Sequence, residues 1–335
     1  MQALRIDSGD RFAANLKEWR SDPAFSSIDA NPVSGEFGRA YYPAVFGERH
    51  LDASFAVCEG ERALVIVLCT SGERRLGYYG MPIRLFLRTG LEEAVVQRAV
   101  SEIFAYLDTL VFERHIEEVI VRDDASAGQL SLVGKQCLNR HAAGVLQLTG
   151  FCALDRGEAG MRQGLRKSFR SLVNWGQRNL TIASIDAKNQ SRNLFEDYRK
   201  FHASVAGRVT RSDRSWEAMF DWIASGHGEL VLGFLATGEL VTGTMVIDGV
   251  TQAYYVSGVY DRERFDQPLG HWPMWIAMVH SMERGMRIFE LGDLPLTGAA
   301  TEKEIAIGYF KRGFATDIAT WITWSWSPRR QERGP

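Results

Sequence analysis

A chain of 335 residues exceeds one ordinary domain and predicts two, each long enough to bury its own core. With 45% hydrophobic and 24% charged residues and a formal net charge of −2, the composition excludes disordered and fibrous classes and shows no basic excess of the kind a bulk DNA-binding protein carries. The four cysteines, Cys58, Cys69, Cys137 and Cys152, have neither metal-ligand spacing nor the density of a disulfide framework, so they are expected as reduced core residues of a cytoplasmic protein without a metal.

No apolar run reaches the roughly 18 residues a membrane span needs, and the N-terminal MQALRIDSGDRF lacks the apolar core of a signal peptide. Residues 1–50 read as irregular apart from a helix over 11–19, stopped before Pro23. From Ser54 the pattern changes to strands: 54–58, 63–69 and 76–85, separated by glycine and charged turns. A helix over 91–115 follows, with Ala99, Ile103, Tyr106, Leu107 and Leu110 at helical spacing, then a strand over 119–121 and another within GVLQLTGFCALD.

Next comes a basic helix over 161–178, in which Arg162, Arg166, Lys167, Arg170 and Arg178 occur without an acid. Such a run is commonly a solvated helix face, and it is also what an anionic partner would require. A strand over 180–185, helices over 192–206 and 213–224, and three strands, 229–235, 240–247 and 252–259, come next; the turns ATGE and IDGV predict an antiparallel meander. A helix over 269–284 carries Pro273 in its first turn, where proline is tolerated.

The stretch FELGDLPLTGAATEKEIAIGYFKRGF, 289–314, carries the densest chemistry. Its apolar strand stops at Gly292 and Asp293 and so delivers a carboxylate to the rim of a sheet, although Asp293 has the alternative of capping its own loop as an Asx turn. Pro295 and Gly298 suit a sharp loop. Thr301 with Glu304 makes an S/T-x-x-E capping box for a helix expected to bury Ile305, Tyr309 and Phe310 while Lys303, Lys311 and Arg312 face polar surroundings, with Gly308 leaving room beside the Lys311 stem. A last alternating strand, ATWITWSWS, closes the chain.

The order G-M-x-x-F-E-L-G-D followed by E-K-E-I-A-I-G-Y-F-K-R-G-F resembles the C-terminal signature of the Fem-type and related acyltransferases of the GNAT fold, and is similar to the acetyltransferase domain family of cellulose biosynthesis. The resemblance runs back to about Arg166. Strands 54–58, 63–69 and 76–85, a helix and strand 119–121 also echo the order of the second half. The expected fold is therefore α/β (α+β): two tandem GNAT-like domains, each a mixed, largely antiparallel sheet flanked by helices. The boundaries expected are a degenerate N-terminal domain over 1–158, a basic helix and connecting strand over 159–186, and a catalytic domain over 187–335.

That resemblance implies a cleft where the fourth and fifth strands splay apart, with backbone N–H groups of Val256, Ser257 and Gly258 toward a donor carbonyl, and Leu269 and Gly270 at a helix N-terminus suited to donor phosphates. Asp293 is the first candidate for general base, with Glu304 and Tyr255 after it. Lys311 matches the family's Phe-Lys lysine at the donor carbonyl or a substrate phosphate; its bland alternative is a surface lysine. His202, Arg208, Arg211 and Trp216 are expected to hold the acceptor, although a lone histidine is more often structural. The Gly-rich acyl-CoA loop of simple acetyltransferases is replaced by DQPLGHW.

The expected activity is N-acyl transfer, directly from acyl-CoA or an acyl carrier protein thioester to an amine of a small metabolite, amino sugar, amino acid or cell-envelope or polysaccharide precursor. The alternatives are aminoacyl transfer from aminoacyl-tRNA, which the basic helix favours, and a non-catalytic binding module, for which the first half, with Asp123 and Asp124 but no Phe-Lys helix, is the candidate.

Overall fold

The computed structural model describes residues 2–5, 10–19, 22, 25, 32–46, 49–125, 128–264, 266–296, 298 and 300–328. The N-terminal stretch is more regular than its sequence suggests: strand β1 (Gln2–Arg5) and helices α1 (Asp10–Trp19) and α2 (Pro32–Phe46) precede β2 (Leu51–Asp52), β3 (Phe55–Glu59), β4 (Arg62–Leu68) and β5 (Thr70–Ser71). The single strand expected over 76–85 is two strands, β6 (Arg75–Gly77) and β7 (Arg84–Leu87). Between them Tyr78 N–H donates to Met81 O at 2.6 Å and Met81 N–H to Tyr78 O at 3.0 Å, closing a turn in which Tyr79 and Gly80 take φ of 51° and 79°.

Helix α3 (Glu93–Glu113) buries Ala99, Val100, Ile103, Phe104, Leu107 and Leu110, one face at the spacing a half-exposed helix requires. Strand β8 (Glu118–Asp124), helix α4 (Leu132–Asn139) and strand β9 (Ala143–Ala153) follow, and a 3₁₀ turn (Leu154–Arg156) leads into α5 (Gly157–Gly164) and α6 (Lys167–Asn179). The basic helix expected over 161–178 is thus two helices. Leu165, at φ −58° and ψ 141°, leaves the helical region between them, because its side chain is buried, 3% exposed, in the core beneath.

Strand β10 (Thr181–Ile185), α7 (Arg192–Ala206) and α8 (Asp213–Ala224) come next, the two helices capped by Ser191 and Ser212. The meander is β11 (Gly228–Phe234), β12 (Leu240–Asp248) and β13 (Gln252–Tyr260); α9 (His271–Glu283), β14 (Ile288–Leu294), α10 (Glu302–Phe314) and β15 (Asp317–Trp326) complete the chain.

These elements group into two compact units, each with segments drawn from separate parts of the sequence. The first comprises residues 1–25, 42–147 and 320–335. It holds a four-stranded sheet ordered β1-β3-β4-β7 and a run ordered β15-β8-β6-β5-β2. Its core gathers Phe55, Val65, Leu76, Ile103, Phe104, Val119, Trp324 and Trp326.

The second comprises residues 26–41 and 148–319, with strand order β10-β11-β12-β13-β14-β9. One face of this sheet packs Val231, Val246, Ala253, Phe289 and Leu291 against α6, α9 and Phe314; the other packs Leu230, Leu232, Met245, Ile247 and Val259 against α7 and α8. The linear division expected at 158 and 187 differs from these units at the closing strands. The last strand of the chain pairs antiparallel with β8, Trp324 opposite Val121, whereas β14 takes Leu148–Ala153 as its antiparallel neighbour, Phe289 opposite Cys152.

Candidate active site

The second unit's sheet opens on one side. Strands β13 and β14 are parallel neighbours only at Gln252↔Ile288, Ala253↔Phe289 and Tyr254↔Glu290, and beyond that point they part. Two irregularities sit at the fork. On β13 the register against β12 shifts so that Met245 opposes Ser257 and Val246 opposes Tyr255, which leaves Val256 as the extra residue of a β-bulge. On β14 the register against β9 shifts between Glu290 and Gly292, where Gly292 takes φ +81°. A bulge re-aims the backbone and leaves its ladder incomplete, so the fork presents main-chain groups without strand partners across the gap.

Lys311 comes down onto this fork from α10. Its Nζ donates to Asp293 O at 3.3 Å, and a Cβ placed on Gly292 would lie 3.0 Å from that nitrogen and 3.7 Å from the Tyr254 hydroxyl. Burial pulls the Lys311 pKa down, while Asp293 and Glu290 act in the opposite direction. The side chain is therefore a half-buried cation held above a glycine, not a solvated surface lysine. The room beside it comes from Gly292; Gly308, expected to provide it, instead accommodates the Pro295 ring.

The expected general bases divide. Asp293 is exposed, and its carboxylate accepts from Thr149 Oγ1 at 3.1 Å. Glu304 completes the capping box, accepting at 2.8 Å from both Thr301 N–H and Thr301 Oγ1, and those bonds hold its pKa below the ordinary carboxylate value. Tyr255 packs on the α6–α9 face with its hydroxyl over Gly258, and burial keeps the phenol protonated by raising its pKa. Ser257 accepts from the Tyr198 hydroxyl of α7 at 3.1 Å.

At the start of α9 the Leu269 side chain is buried, 1% exposed, beside Leu180 and Val241. Its N–H donates to Gln267 O and that of His271 to Pro268 O, and Pro273 has none to give. Gly270 and Trp272 remain as the amides of this helix end, a sparser set of anion donors than a helix start ordinarily offers.

The four residues expected to hold the acceptor are only partly one cluster. Arg211 donates to His202 Nε2 at 3.2 Å and to Thr210 Oγ1 at 3.4 Å, and its guanidinium lies 5.2 Å from the Trp216 ring and 6.0 Å from that of Tyr41. His202 stands edge-on to Trp216 and Tyr198, and burial, with Arg211 adding to it, lowers its pKa to about 4, so it is neutral near pH 7. No carboxylate among the described residues pairs with Arg211. Arg208 is exposed and apart from these contacts.

On α10 the burial differs from expectation. Ile305 is 44% and Tyr309 60% exposed, Phe310 is half-buried, and Phe314 is fully buried. The helix seats itself through Phe314 and the close approach of Gly313 to the Phe169 ring, and this turns the 305–309 side outward.

The matched family now has its structural counterpart: the acetyltransferase (GNAT) domain family matches residues 159–304. That segment is similar to GNAT-type acetyltransferase domains. The fold of the whole chain is similar to that of FemX, at 12% identity over 96% of this chain and 97% of the other with a TM-score of 0.66. It is also similar to a tandem GNAT protein from the clavulanic acid biosynthesis pathway, at 13% identity over 99% of both chains with a TM-score of 0.56. A third similar structure is L-PGS from Bacillus licheniformis, at 12% identity over 94% of this chain and 90% of the other with a TM-score of 0.56. No curated protein matches the sequence. The tandem GNAT fold expected from the echo of the two halves is thereby confirmed.

Two groups around the GNAT domain escaped the sequence. Arg166, at the break between α5 and α6, lies 3.8 Å from the Tyr309 ring and 5.0 Å from that of Phe169, next to His271 and Phe310. Beneath the meander, Glu229 accepts from His280 Nδ1 at 2.7 Å and from Arg284 at 2.8 Å, and Arg284 also reaches Asp248 at 2.6 Å. Each is an assembly of residues distant in sequence, and the one local signal was that Glu229 and Asp248 sit at the ends of otherwise apolar strand runs, where a buried acid needs a partner.

Proposed function

We propose that this protein is an N-acyltransferase that passes an acyl group from an activated donor directly to the amine of a small acceptor. The observation carrying this reading is the fork between β13 and β14, with the Val256 bulge on one side and the Lys311 ammonium over Gly292 on the other. A thioester carbonyl entering the fork would meet main-chain N–H groups of Val256, Ser257 and Gly258. Lys311 would add a cation where negative charge develops on the carbonyl oxygen, the electrostatic contribution that is commonly the largest in acyl transfer. Asp293 and Glu304 serve the architecture of the loop and helix, and Tyr255, kept protonated, is suited to donating a proton and not to accepting one.

On the opposite face from α9, Arg211, over the Trp216 ring and without a carboxylate partner among the described residues, supports recognition of an acceptor bearing a carboxylate or phosphate. Neutral His202 fixes the Arg211 head, and Arg208 is available to a longer acceptor. The donor is an acyl-CoA or an acyl carrier protein thioester, with Gly270 and Trp272 at the start of α9 as the main-chain anion donors. The test is to follow free thiol while the purified protein is supplied with acyl thioesters and pools of amines; thiol release that depends on an amine supports the reading, and none with any thioester removes it.

A second reading, aminoacyl transfer from aminoacyl-tRNA, is favoured by Lys167, Arg170 and Arg178, exposed cations of α6. Docking through them would weaken steeply as salt rises. Activity with charged tRNA alongside failure with every thioester would select it.

A further inference from the structure

We propose that Glu290, and none of the acids singled out by sequence, takes the proton from the attacking amine; the inference rests on the acyl-transfer reading above. Glu290 is the last residue of β14 paired with β13, opposite Tyr254, so it stands at the point where the fork opens. Phe289 and Leu291 fill the core on the α6–α9 face, and strand alternation therefore directs Glu290 to the other face, the one shared with α7, α8 and the Arg211 cluster. Gln252 Nε2 donates to Glu290 Oε2 and orients the carboxylate. Two residues on, Lys311 Nζ and the Tyr254 hydroxyl both hang over Gly292.

Among the described groups around Glu290, Lys311 from α10 lies within charge range of both Glu290 and Asp293, Tyr254 opposes Glu290 from β13, and Phe151 opposes it from β9. This places an acceptor-side carboxylate and a donor-side cation within one strand turn of each other. The division of labour follows from charge. As the amine nitrogen bonds to the acyl carbon, Lys311 meets the oxyanion and Glu290 accepts the N–H proton. Collapse breaks the carbon–sulfur bond, the electron pair leaves on sulfur, and the thiolate takes up a proton from solvent as Glu290 returns its own. The balance is thioester plus amine to amide plus thiol.

The experiment compares wild type with Glu290→Gln, which retains an oxygen to accept from Gln252, in amine-dependent thiol release from pH 5 to 10. The expected result is a fall in kcat/KM of about a hundredfold or more, loss of the acid limb of the pH profile, an unchanged KM for the thioester, and partial recovery with weakly basic amines that are already deprotonated. Glu290→Asp, which keeps a carboxylate one methylene short, is expected to retain the acid limb at reduced kcat, and it carries the test if the glutamine variant does not fold. Glu290→Gln with wild-type rate and wild-type acid limb, or Glu290→Asp without that limb, overturns the inference and leaves the acyltransferase reading intact. A wild-type protein that transfers no acyl group from any thioester or aminoacyl-tRNA overturns both.

Discussion

Lys311 Nζ donates to the main-chain oxygen of Asp293 at 3.3 Å, a bond that ties the last turns of α10 to the end of β14 across the loop between them. The contact exists because Gly292, at φ +81°, has no side chain: a Cβ there would press to 3.0 Å from the ammonium. Removing the cation by Lys311→Ala is expected to lower kcat by on the order of a hundredfold with little change in melting temperature, and Lys311→Arg is not expected to restore it, because a planar guanidinium cannot occupy the same point. Since burial lowers the Lys311 pKa from 10.5, activity that needs the ammonium falls as pH rises through a value below 10.5, and this alkaline limb vanishes in the alanine variant. Near-normal turnover by Lys311→Ala would make the residue structural.

Gly313 is where α10 touches α6. A Cβ at this position would sit 1.9 Å from the Phe169 ring, which is itself buried, so Gly313→Ala forces the ring or the helix to move. Chemical denaturation should show a loss of about 1–3 kcal/mol, the usual range for overpacking. Adding Phe169→Leu should return part of that loss, and strict additivity of the two changes would contradict the packing described.

Arg284 holds two acids that are almost wholly buried, Glu229 and Asp248, with side chains 2% and 6% exposed. Arg284→Met leaves both without their cation and should cost about 3–5 kcal/mol of stability. The pH dependence has two edges. Burial raises the Glu229 pKa, but the hydrogen bond to His280 and the charges of His280 and Arg284 outweigh it and depress the value below 4.5. Its contribution is therefore present above 4.5 and lost as pH falls through the lower folded value. The bond to Glu229 raises His280 above 6.5, so that contribution is full below 6.5 and lost as pH climbs through the raised value. Unfolding free energy measured against pH should show both edges in wild type, and Glu229→Gln should erase them together.

His202 and His271 act in the opposite sense. Burial lowers each to about 4 from 6.5, so between those values the unfolded chain binds protons that the folded protein refuses. Folding is then progressively penalised as pH drops from 6.5 toward 4. The slope of stability against pH over that interval should flatten in His202→Asn and again in His271→Asn, whatever each change does to stability at pH 7. Direct titration of either imidazole in the folded protein near 6.5 would contradict this.

The chain-order pattern was informative wherever the signal was local. The boundaries of α7 and α8, the β11–β13 meander and the Thr301–Glu304 capping box were legible because spacing, caps and turns act within a few residues. The Phe310–Lys311 pair falls within one helix, α10, as its spacing predicted. What tertiary structure alone decided was non-local. Strand periodicity says that ATWITWSWS pairs, but not with which edge; it pairs with β8, where Trp324 and Trp326 join a core and Trp324 Nε1 donates to Asp123. Likewise the α10 pattern marks Ile305, Tyr309 and Phe310 as apolar, yet which face is buried was set by Phe169 filling the groove at Gly313. Glu290, one of 41 acids, looked like an ordinary strand residue, and only the register that ends at Tyr254↔Glu290 put it at the mouth of the fork. A residue's type and spacing fix its local conformation, whereas which groups meet across a sheet depends on pairings whose partners lie a hundred or more residues away.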